Sequence, residues 1–227
     1  MPALQHLRQA AAFDAWLSNP IRRSLLLEAQ TAWGEGDAGA LGGQIAVRLL
    51  PSLDWPLADN IAHYSGVWTV ALGADGWHGA WRAEPGDLPL ATGSVSRLDL
   101  RFVLESVPEP ARLLAECARV LREDGRLLMF GLNPYGVVRL RWARHGLVTL
   151  SRRQVTALLK DEGFEVLAQR TLGPFWRSRG VDIGTVDEAW GWGRVAWAIL
   201  ATRRSLALTP LRRGAPTWRV TPGVPAS

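Results

Sequence analysis

The sequence predicts an α/β fold built on a largely parallel sheet, and three stretches carry that prediction. Residues 94–103 alternate and then turn apolar in the manner of a strand. After Pro108, the residues Leu113, Leu114, Cys117, Val120 and Leu121 recur at helical spacing. Asp124-Gly125 is expected to close that helix, because glycine takes the left-handed conformation past a helix C-terminus. Leu127 to Phe130 is short and apolar enough for a strand buried on both faces. The third stretch, residues 151–172, repeats the order of helix, glycine and strand. Such alternation is how a parallel sheet with crossover helices is written in sequence.

Bulk properties set the frame for the elements. At 227 residues one domain with a single sizeable core is the default. No apolar run approaches the roughly 20 residues of a membrane span. Residues 1–16 lack the positively charged start, apolar core and cleavage site of a secretion leader, so the expected location is cytoplasmic and no membrane partner is expected. The formal charge of +5 comes almost entirely from arginine, since Lys160 is the only lysine. Clusters at Arg139, Arg141 and Arg144, at Arg152-Arg153, and at Arg203-Arg204 with Arg212-Arg213 would suit phosphates, which makes nucleic acid a candidate partner. No zinc-finger or RNA-recognition signature accompanies them. Cys117, the single cysteine, falls on the apolar face of its helix; it excludes intrachain disulfides and cysteine-clustered metal sites, and no metal is expected.

Taken in order, residues 1–42 read as two helices around Asn19-Pro20 followed by a glycine-rich loop, an N-terminal helical cap. Residues 43–50, GQIAVRLL, form a buried strand. Pro56 to Tyr64 fits a helix with proline in its first turn, Val67 to Leu72 a second strand, and Gly79 to Ala83 a short third one. An alternative reading starts the sheet at Val67 and makes Gly73-Ala74-Asp75-Gly76 the loop that follows it. Asn133 to Gly136 is a turn, and Val137 to His145 a basic helix or lid segment. Ser151 with Gln154 three residues on is a capping-box pattern, with Val155, Leu158 and Leu159 as the apolar face of the helix it opens. Strands follow at Phe164 to Leu172 and Arg194 to Thr202, separated by a short turn around Asp187 to Trp192. Residues 206–227 read as a flexible tail.

The block Glu84, Leu88-Pro89-Leu90, Ser94-Val95-Ser96, Leu104-Glu105-Ser106-Val107-Pro108 and Arg119-Val120-Leu121-Arg122-Glu123-Asp124-Gly125-Arg126 resembles the motif IV to motif V region of class I S-adenosylmethionine-dependent methyltransferases, type 11-like. It differs in having Ser96 where the family places an aspartate. Residues 16–23, Asn133-Pro134 and residues 208–212 resemble a bacterial methyltransferase-like subgroup of that family. The resemblance implies a Rossmann-like seven-stranded sheet with helices on both faces, a last strand running antiparallel, a methyltransferase-like domain over residues 43–205, and S-adenosylmethionine as cofactor.

It also assigns candidate cofactor-binding residues. The glycine-rich loop after the first strand corresponds here to Leu50, Pro51 and Ser52, without any glycine, and Pro51 lacks an N–H donor. Glu84, followed by Pro85, stands where the family places the acceptor for the adenine amino group, and a carboxylate suits that donor. Asp75 would accept from ribose hydroxyls. Arg101 and Phe102 end the fourth strand, where ligands bind at the carboxyl ends of the strands. The cleft between strands one and four is either open or plugged by side chains such as Leu53, Trp55 and Phe102, and the sequence leaves both outcomes open. Methyl transfer needs alignment, and a base only when the acceptor loses a proton, so the sequence designates no catalytic residue. His63, His78 and His145 have no serine or acid at a hydrolase spacing. The expected function is a methyltransferase on an unidentified acceptor, small molecule or macromolecule. The alternative is a catalytically inactive relative acting as a binding or scaffold subunit.

Overall fold

The computed structural model describes residues 45–53, 55, 65–73, 75–136, 149–172 and 196–204. The N-terminal cap, the helix expected over 56–64, the basic segment 137–145, the turn at 187–192 and the tail 206–227 lie outside them. Seven strands form one sheet: β1 (Ile45–Leu50), β2 (Gly66–Gly73), β3 (Gly76–Gly79), β4 (Val95–Arg101), β5 (Leu121–Leu132), β6 (Phe164–Leu172) and β7 (Ala196–Arg203). Their order across the sheet is β3-β2-β1-β4-β5-β7-β6. β2, β1, β4 and β5 run parallel, while β7 is antiparallel to both β5 and β6, as the resemblance implied. Two helices are described, α1 (Pro110–Val120) and α2 (Arg152–Asp161).

This order decides between the two readings of the first strand. Ile45–Leu50 lies between β2 and β4, at the centre of the parallel portion, so the sheet does not start at Val67.

The third strand is a correction. It covers Gly76–Gly79 rather than 79–83, and it returns antiparallel on β2, pairing Leu72 with Trp77 and Gly73 with Gly76. Only two residues separate the strands, which leaves no room for a helix and makes the connection a hairpin. Gly76 sits at φ +115, and a Cβ there would run into the carbonyl oxygen of Ala83. Residues 80–83 then double back, with the Trp77 and Ala83 amides each donating to the other's carbonyl.

The end of α1 is a second correction. The helix stops at Val120 and the chain enters β5 at once. Asp124, not Gly125, takes the left-handed conformation, with φ 59. Gly125 is needed for a different reason: a Cβ would approach Leu121 Cγ to 2.7 Å and the Arg122 carbonyl oxygen to 2.8 Å. Residues 122–125 are absorbed in a register shift, since Val95 pairs with Leu121 but Arg97 pairs with Arg126.

Packing divides the sheet into two unlike faces. Val47, Leu49, Leu98, Leu100, Leu127 and Met129 project to one side, where they join Leu113, Leu114 and Cys117 of α1 and Val155 and Leu159 of α2 in a single core. Cys117 is fully buried there, and burial pushes its thiol pKa up, so it is a packing residue. Both described helices cover this face. Arg48, Arg97, Asp99 and Arg101 share the other face, as the Arg48 to Asp99 register requires, and all are buried. Ser151 caps α2 with both halves of its box formed: its Oγ accepts from the Gln154 amide at 3.3 Å and Gln154 Oε1 accepts from the Ser151 amide at 2.9 Å. Among the described residues no helix is long and apolar enough to cross a membrane.

Candidate functional site

The strand order reverses direction between β1 and β4, because the chain runs outward from β1 through β2 and β3, then returns to continue on the other side. A crevice at the carboxyl ends of the strands beside such a switch point is where open α/β sheets bind ligands. Leu50 ends β1, and Pro51 and Ser52 follow it; Arg101 ends β4, and Phe102 follows it. Asp75 lies in the hairpin after β2, at the same end of the sheet. Glu84 comes to that end because the chain doubles back, so that its Cα would lie 3.4 Å from a Cβ on Gly76. Pro85 is held beside it, its carbonyl accepting from the Trp77 indole N–H at 3.1 Å. All eight residues thus lie along one edge of the sheet, Asp75 and Glu84 exposed and Leu50, Pro51, Arg101 and Phe102 buried.

The crevice itself is occupied by protein. The Trp55 and Phe102 rings lie 5.4 Å apart, and Phe102 continues to Phe130 of β5 at 6.2 Å. Trp55 is 4% exposed and Phe102 is fully buried. Two backbone features hold these rings. The Trp55 amide donates to the Ser52 carbonyl at 3.1 Å, folding the chain after β1 into a turn, and the Phe102 amide donates to the Phe130 carbonyl at 2.9 Å. Phe102 also carries a positive φ of 53, uncommon for an aromatic residue. Leu53 does not take part in the plug, being half exposed.

Three arrangements were missed by the sequence reading, although it named Arg101 itself. On β4, Arg97 Nε donates to Asp99 Oδ1 at 2.7 Å, and Arg101 stands 3.5 Å from Asp99 Oδ2 with its guanidinium over the Phe130 ring. Burial pulls the Arg101 pKa below its ordinary value, while Asp99 opposes that shift. The alternation Arg97-Leu98-Asp99-Leu100-Arg101 is the signal that puts these charges on one face. Glu105 is 1% exposed, and its Oε1 accepts the Leu132 amide, tying the loop after β4 to the end of β5. Burial raises its pKa from 4.5 to about 7, with the hydrogen bonds from the Leu132 and Glu105 amides opposing.

The third group is a clamp on α1. Arg119 donates to the carbonyls of Leu88 and Leu90, each at 2.8 Å, and to Glu116 Oε1 at 2.7 Å, while Glu116 Oε2 accepts the Leu88 amide at 3.0 Å. Its hydrogen bond to Arg119 holds the Glu116 carboxyl below its ordinary pKa. Arg112 adds a bond to Asp87 at 2.8 Å. One helix therefore fixes the segment that leads from Glu84 and Pro85 into β4. Among the described residues no group of histidines, cysteines and acids is spaced to hold a metal.

Comparison with known proteins supplies the family context. Residues 75–129 match a family profile described as a methyltransferase domain. The uncharacterized protein YafS of Escherichia coli K12 is 39% identical over 72 residues, which cover 32% of this chain and 30% of that protein. A SAM-dependent methyltransferase from Aquifex aeolicus superposes with TM-score 0.56 at 15% identity, covering 83% of this chain and 96% of its own. Geranyl diphosphate C-methyltransferase from Streptomyces coelicolor, solved with S-adenosyl-L-homocysteine, gives 0.54 at 16% identity over 81% of this chain and 78% of its own. At such identities the structural likeness is one of fold. This chain carries a methyltransferase domain signature over residues 75–129 on the fold of the class I S-adenosylmethionine-dependent methyltransferases.

Proposed function

We propose that this protein is an S-adenosylmethionine-dependent methyltransferase. The observation that carries the reading is convergence: the segment with the methyltransferase signature supplies Asp75, Glu84, Arg101 and Phe102, and the fold sets them along the carboxyl edge beside the switch point. When bound, the cofactor would supply an electrophilic methyl group on its sulfonium. Asp75 and Glu84 suit its nucleoside half, because exposed carboxylates accept hydrogen bonds from ribose hydroxyls and from the adenine amino group. The α1 clamp would keep the Glu84 segment in register with β4.

The other half of the cofactor meets a poorer fit. Pro51 has no N–H to offer a methionine carboxylate, the Trp55 amide is already committed to Ser52, and Trp55 and Phe102 fill the crevice. That filling favours a second reading, a fold relative that serves as a binding or scaffold subunit without a cofactor.

Isothermal titration with S-adenosylmethionine, paired with thermal melting, separates the two. The first reading expects measurable heat and a melting temperature that rises with cofactor concentration, both weakened in an Asp75→Ala, Glu84→Ala double variant. Absence of heat and of any shift at millimolar cofactor would overturn it and leave the scaffold reading.

A further inference from the structure

Glu84 stands between two residues that a single tryptophan holds. The Trp77 amide donates to the Ala83 carbonyl at 2.7 Å, and the Ala83 amide donates back to the Trp77 carbonyl at 3.3 Å. The Trp77 indole N–H reaches past Glu84 and donates to the Pro85 carbonyl at 3.1 Å. Trp77 therefore grips the residue before Glu84 through its backbone and the residue after it through its ring. The Glu84 carbonyl is itself committed, accepting from the Asp87 amide at 3.1 Å, and Pro85 disfavours helical backbone at the residue it follows. Trp77 is 2% exposed and packed in the core, whereas Glu84 is left exposed. Gly76 makes the arrangement possible, because it has no Cβ to meet the Ala83 carbonyl oxygen as the chain returns against Trp77.

Resting on the methyltransferase reading, in which Glu84 accepts from the adenine amino group, we infer that Trp77 is a positioning residue for cofactor binding: its indole N–H, through the Pro85 carbonyl, sets where the Glu84 carboxylate stands. The indole acts through Glu84 and not by touching the cofactor. A buried ring with a satisfied N–H is a rigid anchor. A carboxylate whose flanking backbone is tied to such an anchor has less freedom to lose when it accepts a ligand's hydrogen bond. The donor is the part that matters. Phenylalanine in its place would keep a buried ring, leave the Pro85 carbonyl free to turn, and release Glu84 with it.

The test is a double-mutant cycle, read by calorimetric titration of S-adenosylmethionine into full-length wild type, Trp77→Phe, Glu84→Ala and the double variant. Trp77→Phe is expected to weaken binding about tenfold, the effect of losing one hydrogen bond to a charged group. In the Glu84→Ala background the same substitution is expected to change the dissociation constant less than about twofold. A merely structural role would weaken both backgrounds alike, and that result overturns the inference. Wild-type affinity in a folded Trp77→Phe protein, or in Glu84→Ala, also overturns it, while the binding recorded leaves the methyltransferase reading intact. Absence of binding by the wild type overturns that reading, and the inference falls with it. Should Trp77→Phe fail to fold, exchange of the Trp77 indole proton in the wild type, assigned from its proximity to Pro85, gives an independent measurement. Coupling is reciprocal, so saturation with cofactor is expected to slow that exchange by about threefold or more. The Trp197 indole proton, held by Leu132 and Leu150, is expected to respond less. Unchanged exchange at Trp77, or equal slowing at both, overturns the inference.

Discussion

Burial keeps the Glu105 carboxyl protonated beyond its ordinary range, against the hydrogen bonds it accepts from the Leu132 and Glu105 amides, and its second oxygen has no hydrogen-bond partner among the described residues. Its proton is held more tightly in the folded chain than in the unfolded one, where the ordinary value of 4.5 applies. A folded pKa of about 7 therefore makes Glu105 contribute most to stability when protonated. That contribution declines as pH rises from about 4.5 through 7 and then levels off, a change on the order of 3 kcal/mol for a shift of this size. Glu105→Gln keeps an oxygen for the Leu132 amide and removes the titration. The difference in melting temperature, variant minus wild type, is expected to grow more positive between pH 4.5 and pH 8; a difference independent of pH would contradict the assignment. The residue was visible in the sequence as part of the segment following β4, yet nothing local announced its burial. Its partner, Leu132, is 27 residues away.

At the level of elements, the parts readable from sequence were those whose signals are local. β6 spans the residues anticipated, and α2 opens with the capping box that Ser151 and Gln154 advertise. Ser151→Ala removes an acceptor for the Gln154 amide and should cost about 1 kcal/mol of stability. The urea midpoint should fall accordingly, with faster hydrogen exchange at the Gln154 amide; an unchanged midpoint and unchanged exchange would show the box to be ornamental. The direction of β3 was not readable in the same way. Gly73 and Gly76 mark a turn whichever way the chain leaves it, and only pairing with β2 settles the direction. Likewise Asp124-Gly125 reads as a helix stop, whereas the helix has ended four residues earlier because Leu121 already pairs with Val95. Trp55 and Phe102 were placed near the crevice by their positions after two strands, but their contact depends on those strands being neighbours.

For the molecule as a whole, β7 is the member that closes the structure. It lies between β5 and β6, and its Trp197 indole N–H is shared between the carbonyls of Leu132 and Leu150 at 3.1 and 3.0 Å. A Cβ on Gly131 would run into that indole, so β5 and β7 fit only as they are. Chains truncated before Ala196 should lose the cooperative thermal transition that the intact chain shows by circular dichroism. A sharp transition in the truncated chain would mean that β1, β2, β4 and β5 form an independent core. The asymmetry of the sheet was half legible: the apolar runs identified the strands, while nothing local announced that Arg48 and Arg97, like Arg101, would be buried. The β2 to β3 hairpin has a consequence in time rather than in space. Among the described residues β3 is the outermost strand and is only four residues long, so the exposed Asp75 and Glu84 have no further strand beyond them there. Under the methyltransferase reading, a nucleoside held there by two exposed carboxylates would arrive and depart quickly. Residence in this protein would then be governed at the other end of the ligand, by how long the crevice between β1 and β4 keeps what it has admitted.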